Sequence, residues 1–120
     1  MKRRTLLQFG SALVGSAAWA QQAPQPLLKR IPSSGEAIPA VGLGSWITFN
    51  VGDDTQARAT CTEVMRQFFA AGGRLIDSSP MYGSSQSVIG DGLQRLGLPR
   101  QAFAADKVWT SGDGAAQLEA

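Results

Sequence analysis

The 120-residue sequence contains no histidine, which removes imidazole-ligated metals and every histidine-based catalytic dyad or triad from these residues. It has one cysteine, Cys61, so an intramolecular disulfide is excluded. With 43% hydrophobic, 17% charged and 8% aromatic residues, it fits neither a disordered chain nor a membrane bundle. Acidic residues are absent from positions 1–20, where Lys2, Arg3 and Arg4 hold three of the eleven positive charges. Beyond them eight cations face nine anions, or −1, which is no footprint for nucleic acid. Glycine and proline, by contrast, are plentiful at fourteen and six, and point to frequent turns between short strands and helices.

Residues 1–20, MKRRTLLQFGSALVGSAAWA, read as a signal peptide. A cationic start leads into an apolar stretch from Leu6 to Trp19, and Ala18-Trp19-Ala20 offers a small-x-small cleavage pattern before Gln21-Gln22. A membrane-spanning helix needs ~20 predominantly apolar residues, so no stable membrane anchor is expected from this shorter run. Arg3-Arg4-Thr5-Leu6-Leu7 resembles the twin-arginine signal, with general secretion as the alternative. The expectation is an exported bacterial protein of the periplasm that uses one of these export machineries. Residues 21–26, QQAPQP, form a polar linker, and residues 27–120 form the folded part.

In that part, Leu27–Ile31 and Glu36–Ile38 flank Pro32-Ser33-Ser34-Gly35 as a short hairpin. Ala40–Gly44 follows as a small-residue strand. Gly52-Asp53-Asp54-Thr55 supplies helix-start chemistry, and Cys61, Val64, Met65, Phe68 and Phe69 fall on one helical face that ends at Gly72-Gly73. Arg74–Asp77 is a brief buried strand. Ser84 or Ser85 caps a second helix bearing Ile89, Leu93 and Leu96, stopped by Gly97 and Pro99. Phe103–Trp109 is a third strand, and residues 115–120 begin a third helix. Strands alternating with helices predict an α/β fold of parallel strands with crossover helices.

Parallel α/β folds carry their chemistry at the C-terminal ends of strands. Asp77 ends one strand, Lys107 lies near the end of the next, and Tyr82 sits in the loop after Asp77. Together they form a candidate site from position alone. Singly, each has a plainer reading, as a turn cap, a packing ring and a solvent-facing cation. Gly42-Leu43-Gly44 does not begin a G-x-G-x-x-G dinucleotide motif, because the third glycine position holds Ile47. Trp46 and Trp109 follow strands and serve as packing residues, pocket walls or both. Cys61 reads as core.

Three segments, Gly42-Leu43-Gly44-Ser45-Trp46, Gly73-Arg74-Leu75-Ile76-Asp77-Ser78-Ser79-Pro80-Met81-Tyr82-Gly83 and Ala105-Asp106-Lys107-Val108-Trp109, together resemble the aldo-keto reductases. The similarity runs from about Leu27 to the end. It implies a (β/α)8 barrel in which hydride passes from NADPH to a small-molecule carbonyl. Tyr82 matches the family's proton donor, and Lys107 and Asp77 match the ion pair beside it. A free tyrosine titrates near pH ~10, and a neighbouring ammonium favours the phenolate. The resemblance places Gly44, Ser45, Trp46 and Asp77 on the cofactor, and Trp46 and Trp109 along the substrate pocket.

By the same resemblance, residues 27–120 supply about three of eight strands of a barrel that takes ~250 residues, truncated at the C-terminus. The fourth catalytic residue and the phosphate-gripping loops would lie beyond Ala120, so the 120-residue chain by itself is expected to be inactive. Asp106 departs from the small hydroxyl residue usual before the lysine, and strand alternation points it towards the helix layer if Lys107 faces the site. The alternative function is a non-catalytic periplasmic binding or sensor protein built on the same fold.

Overall fold

The computed structural model describes residues 25–112, 114 and 115. The signal-peptide reading of residues 1–20, most of the linker and residues 116–120 of the expected third helix lie outside the described residues. The chain opens with an antiparallel hairpin, β1 (Leu28–Arg30) with β2 (Ala37–Pro39). There follow β3 (Leu43–Gly44), α1 (Thr55–Ala70), β4 (Leu75–Asp77), α2 (Ser85–Leu96) and β5 (Phe103–Ala105). The last three strands form a parallel sheet in the order β3-β4-β5, the alternation that the sequence predicts.

The ends of α1 are built from local chemistry. Asp54 accepts a hydrogen bond from the Ala57 N–H at 2.9 Å, satisfying one of the donors a helix start leaves open. At the other end Gly72 adopts φ +86°, and the Gly73 and Gly72 N–H groups donate to Phe68 and Phe69 carbonyls at 2.9 Å. This double closure needs a left-handed residue, which glycine accepts without steric cost. The apolar stripe of α1 falls as expected on Cys61 and Met65, which are buried, and Phe68 and Phe69, which are half-buried; Val64 stands at its exposed margin. Helix α2 contributes Val88 and Ile89 to the same core, with Phe49 and Ile76 completing it and Leu93 and Leu96 packed alongside. Burial pushes the Cys61 thiol up from its ordinary value, against a smaller downward pull from Arg58, consistent with an inert core cysteine.

Three local expectations are corrected. The first strand pairs only at Leu43–Gly44, because Ala40 donates instead to the Leu27 carbonyl and extends the hairpin. The third strand stops at Ala105 rather than Trp109. Its ladder ends there because the Lys107 N–H turns to the Asp106 carboxylate at 2.7 Å. Neither Ser84 nor Ser85 caps α2 with its hydroxyl. The Ser84 Oγ accepts from the Gly52 N–H at 2.8 Å, and the Ser85 Oγ donates to the Ser45 carbonyl at 3.2 Å. Both hydroxyls serve the loop after β3.

Candidate functional site

Strand register sets the site. Gly44, Asp77 and Ala105 stand level across β3, β4 and β5. Side chains alternate along a strand, so Lys107, two residues past Ala105, returns to the face that Asp77 occupies. The Lys107 Nζ donates to both Asp77 oxygens, at 2.6 and 2.5 Å, and to the Ser78 carbonyl at 3.3 Å. The same ammonium lies 5.0 Å from the centre of the Tyr82 ring, within cation–π range. These bonds hold Lys107 above the ordinary lysine value. The Asp77 contact is the main cause, desolvation opposes it, and the Tyr82 side chain adds to it.

Asp106 points to the opposite face, as alternation predicts. There it accepts from Gln86 Nε2 at 2.6 Å, so its charge is both partnered and exposed. On the site face, Trp46 stands 6.5 Å from Tyr82 between ring centroids at 42°, and is 66% exposed. Trp109 lies two residues beyond Lys107 and is 70% exposed. The structure therefore gathers Asp77, Lys107, Tyr82 and Trp46 into one cluster at the strand ends. Ser45 lies beneath it, fully buried, with its hydroxyl donated to the Asp77 carbonyl at 2.8 Å. Its oxygen thereby ties the end of β3 to the end of β4.

The tyrosine loop is tightly folded. The Tyr82 N–H donates to the Ser79 carbonyl at 3.0 Å, and the Ser85 N–H to the Tyr82 carbonyl at 3.1 Å. One participant escapes sequence reasoning. Asn50, in the loop after β3, accepts from the Ser84 N–H at 3.0 Å and from its hydroxyl at 3.2 Å. Among the described residues there is no cluster of acidic or sulfur ligands able to hold a metal, and no helix long and apolar enough to cross a membrane.

The aldo/keto reductase family pattern matches residues 40–118. Over 89 residues the chain is 36% identical to methylglyoxal reductase YeaE of Escherichia coli K12, covering 70% of this chain and 30% of that protein. It is 34% identical over 77 residues to an uncharacterised oxidoreductase of Schizosaccharomyces pombe, covering 63% and 21% respectively. The fold matches that of a Pseudomonas aeruginosa protein assigned to the aldo-keto reductases, with a TM-score of 0.59 and 20% identity, over 75% of this chain and 37% of the other. The chain thus spans under a third of the length of these curated relatives.

Proposed function

This chain belongs to the aldo/keto reductase family, and from that premise we propose that it carries the proton-donating part of an NADPH-dependent reductase that converts an aldehyde or ketone to an alcohol. The observation that supports this reading best is the Lys107 ammonium, held by Asp77 against the face of Tyr82.

The residues present fit the reacting end of such a cofactor. Gly44 is exposed, with open space for 4 Å around the point where a Cβ would stand, and Trp46 offers a flat exposed ring nearby. Gly44 and Trp46 would hold the nicotinamide end, with Ser45 and Asp77 fixing the strand ends beneath it. Bound NADPH would supply the hydride. The work of this chain is to manage the charge that develops on the carbonyl oxygen. Tyr82 gives that oxygen its proton, and the Lys107 ammonium stabilises the negative charge left on the phenol oxygen. Asp77 keeps the ammonium charged and aimed. Trp46 and Trp109 border the space where the carbonyl compound would sit.

Methylglyoxal, which the name of the E. coli relative specifies, is the first carbonyl to assay. The decisive variant is Tyr82→Phe, which removes the acidic hydroxyl and keeps the ring. In a full-length version of the protein it should lower kcat by the ~10²–10⁴-fold typical of general acid catalysis while leaving NADPH binding unchanged. Turnover at the wild-type rate would end the assignment. The proposal extends to export: residues 1–20 pair Arg3-Arg4 with the Ala18-Trp19-Ala20 cleavage pattern, which supports a periplasmic destination.

A further inference from the structure

The loop between β3 and α1 does more than connect them. Ile47 adopts φ +64°, a conformation that a β-branched residue rarely takes. Around it the Thr48 N–H donates to the Trp46 carbonyl at 2.7 Å, closing a three-residue turn of the rare, strained kind. Such strain persists only where the surroundings over-determine it. Here Phe49 is anchored in the core, and the N–H groups of Phe49 and Asn50 donate back to Ser45 and Ile47 carbonyls, each at 3.1 Å. The turn leaves Trp46 facing Tyr82 on one side and brings Asn50 to the segment following Tyr82 on the other.

Asn50 is held against that segment by more than one bond. Its Oδ1 accepts both the backbone N–H and the hydroxyl of Ser84, and the Ser84 hydroxyl accepts the Gly52 N–H. Gly83, at φ +58°, gives the Asn50 amide its space, since a Cβ there would collide with it. Arg58 on α1 reinforces the same corner. It donates to the Gly52 carbonyl at 2.8 Å and the Ser87 hydroxyl at 3.1 Å, and pairs with Asp91 on α2.

We infer that Asn50 is a positioning residue for Tyr82: through Ser84 it fixes the tyrosine loop relative to Trp46 and Lys107. The inference rests on the reductase reading for its kinetic consequence, but its structural consequence is measurable without turnover. Tyr82 is the one tyrosine of residues 1–120, and in a full-length version of the protein its ring-13C resonance is assigned as the signal that Tyr82→Phe removes. In Asn50→Ala the ring signal should move towards that of free tyrosine and broaden. The kcat for the carbonyl substrate should fall on the order of 10²-fold, the scale of an ~1 Å misplacement of a reacting group, with KM little changed. Asn50→Asp retains an acceptor oxygen at the same reach and should restore both the signal and kcat. A purely structural asparagine would instead lower thermal stability and leave the ring signal of the folded protein in place.

A wild-type ring signal and kcat in folded Asn50→Ala would overturn the inference. Should that variant fail to fold, Ser84→Ala removes the hydroxyl alone, keeps the backbone donor and should displace the ring signal in the same direction. An unmoved signal there overturns the inference equally. A displaced signal in Asn50→Ala alongside a wild-type protein that reduces no carbonyl would uphold the positioning role and reject the reductase reading.

Discussion

Asp77 grips the Lys107 ammonium with both carboxylate oxygens, at 2.6 and 2.5 Å, from the end of the neighbouring strand. Both side chains are about 40% exposed. Exposed ion pairs contribute little to stability, so this one matters less for holding the fold than for fixing a positive charge beside Tyr82.

That division of roles is testable. In the full-length protein Lys107→Met should lower kcat by ~10²-fold or more, since it removes the charge that stabilises the developing phenolate. Asp77→Asn, which frees the ammonium without removing it, should cost less. Neither should shift the thermal midpoint by more than the small amount expected for an exposed pair. Full kcat in Lys107→Met would remove Lys107 from the proposed chemistry.

The pair also carries a pH signature. Lys107 is raised above its ordinary value of 10.5, chiefly by its hydrogen bonds to Asp77. A group whose pKa is raised by folding contributes its full stability below the unfolded value, and loses that contribution as pH rises through the folded one. The contact should therefore persist from neutral pH past 10.5 and dissolve only above it. An NMR titration of the Lys107 amine should give a midpoint above 10.5, and Asp77→Asn should bring it down. A wild-type midpoint at or below 10.5 would contradict the geometry.

Beneath the pair, Ser78 acts through its backbone. Its N–H donates to the Ala105 carbonyl at 2.9 Å, and its own carbonyl accepts from Lys107. The Ser78 hydroxyl is buried without a hydrogen-bond partner among the described residues. Ser78→Ala should then stabilise the fold by roughly 1 kcal/mol, the low end of the cost of an unsatisfied buried polar group. Denaturant unfolding measures this directly, and a clear loss of stability would show that the hydroxyl is engaged.

For the export proposal, residues 1–25 fused to a folded reporter should direct it to the periplasm. Replacing Arg3 and Arg4 by lysine should abolish delivery of folded cargo. Unchanged delivery would assign the segment to general secretion instead.

Much of this protein is written in short stretches of sequence. Asp54 followed by helix formers, Gly72 after the Cys61–Phe69 stripe and Gly97 after Leu96 each act on residues within a turn or two, so the limits of α1 and α2 were legible. Strand alternation likewise put Lys107 on the site face and Asp106 on the helix side. Tertiary structure alone decided where β3 and β5 stop pairing. It also turned the hydroxyls of Ser84 and Ser85 away from capping and recruited Asn50 and Ser45 to support the site. The bonds concerned join positions 32–40 residues apart: Ser45 to Asp77, Asn50 to Ser84, Ser45 to Ser85. A serine or asparagine side chain satisfies the nearest geometrically open partner. Which partner is open depends on how the sheet and helices bring distant loops together, and no local pattern encodes that.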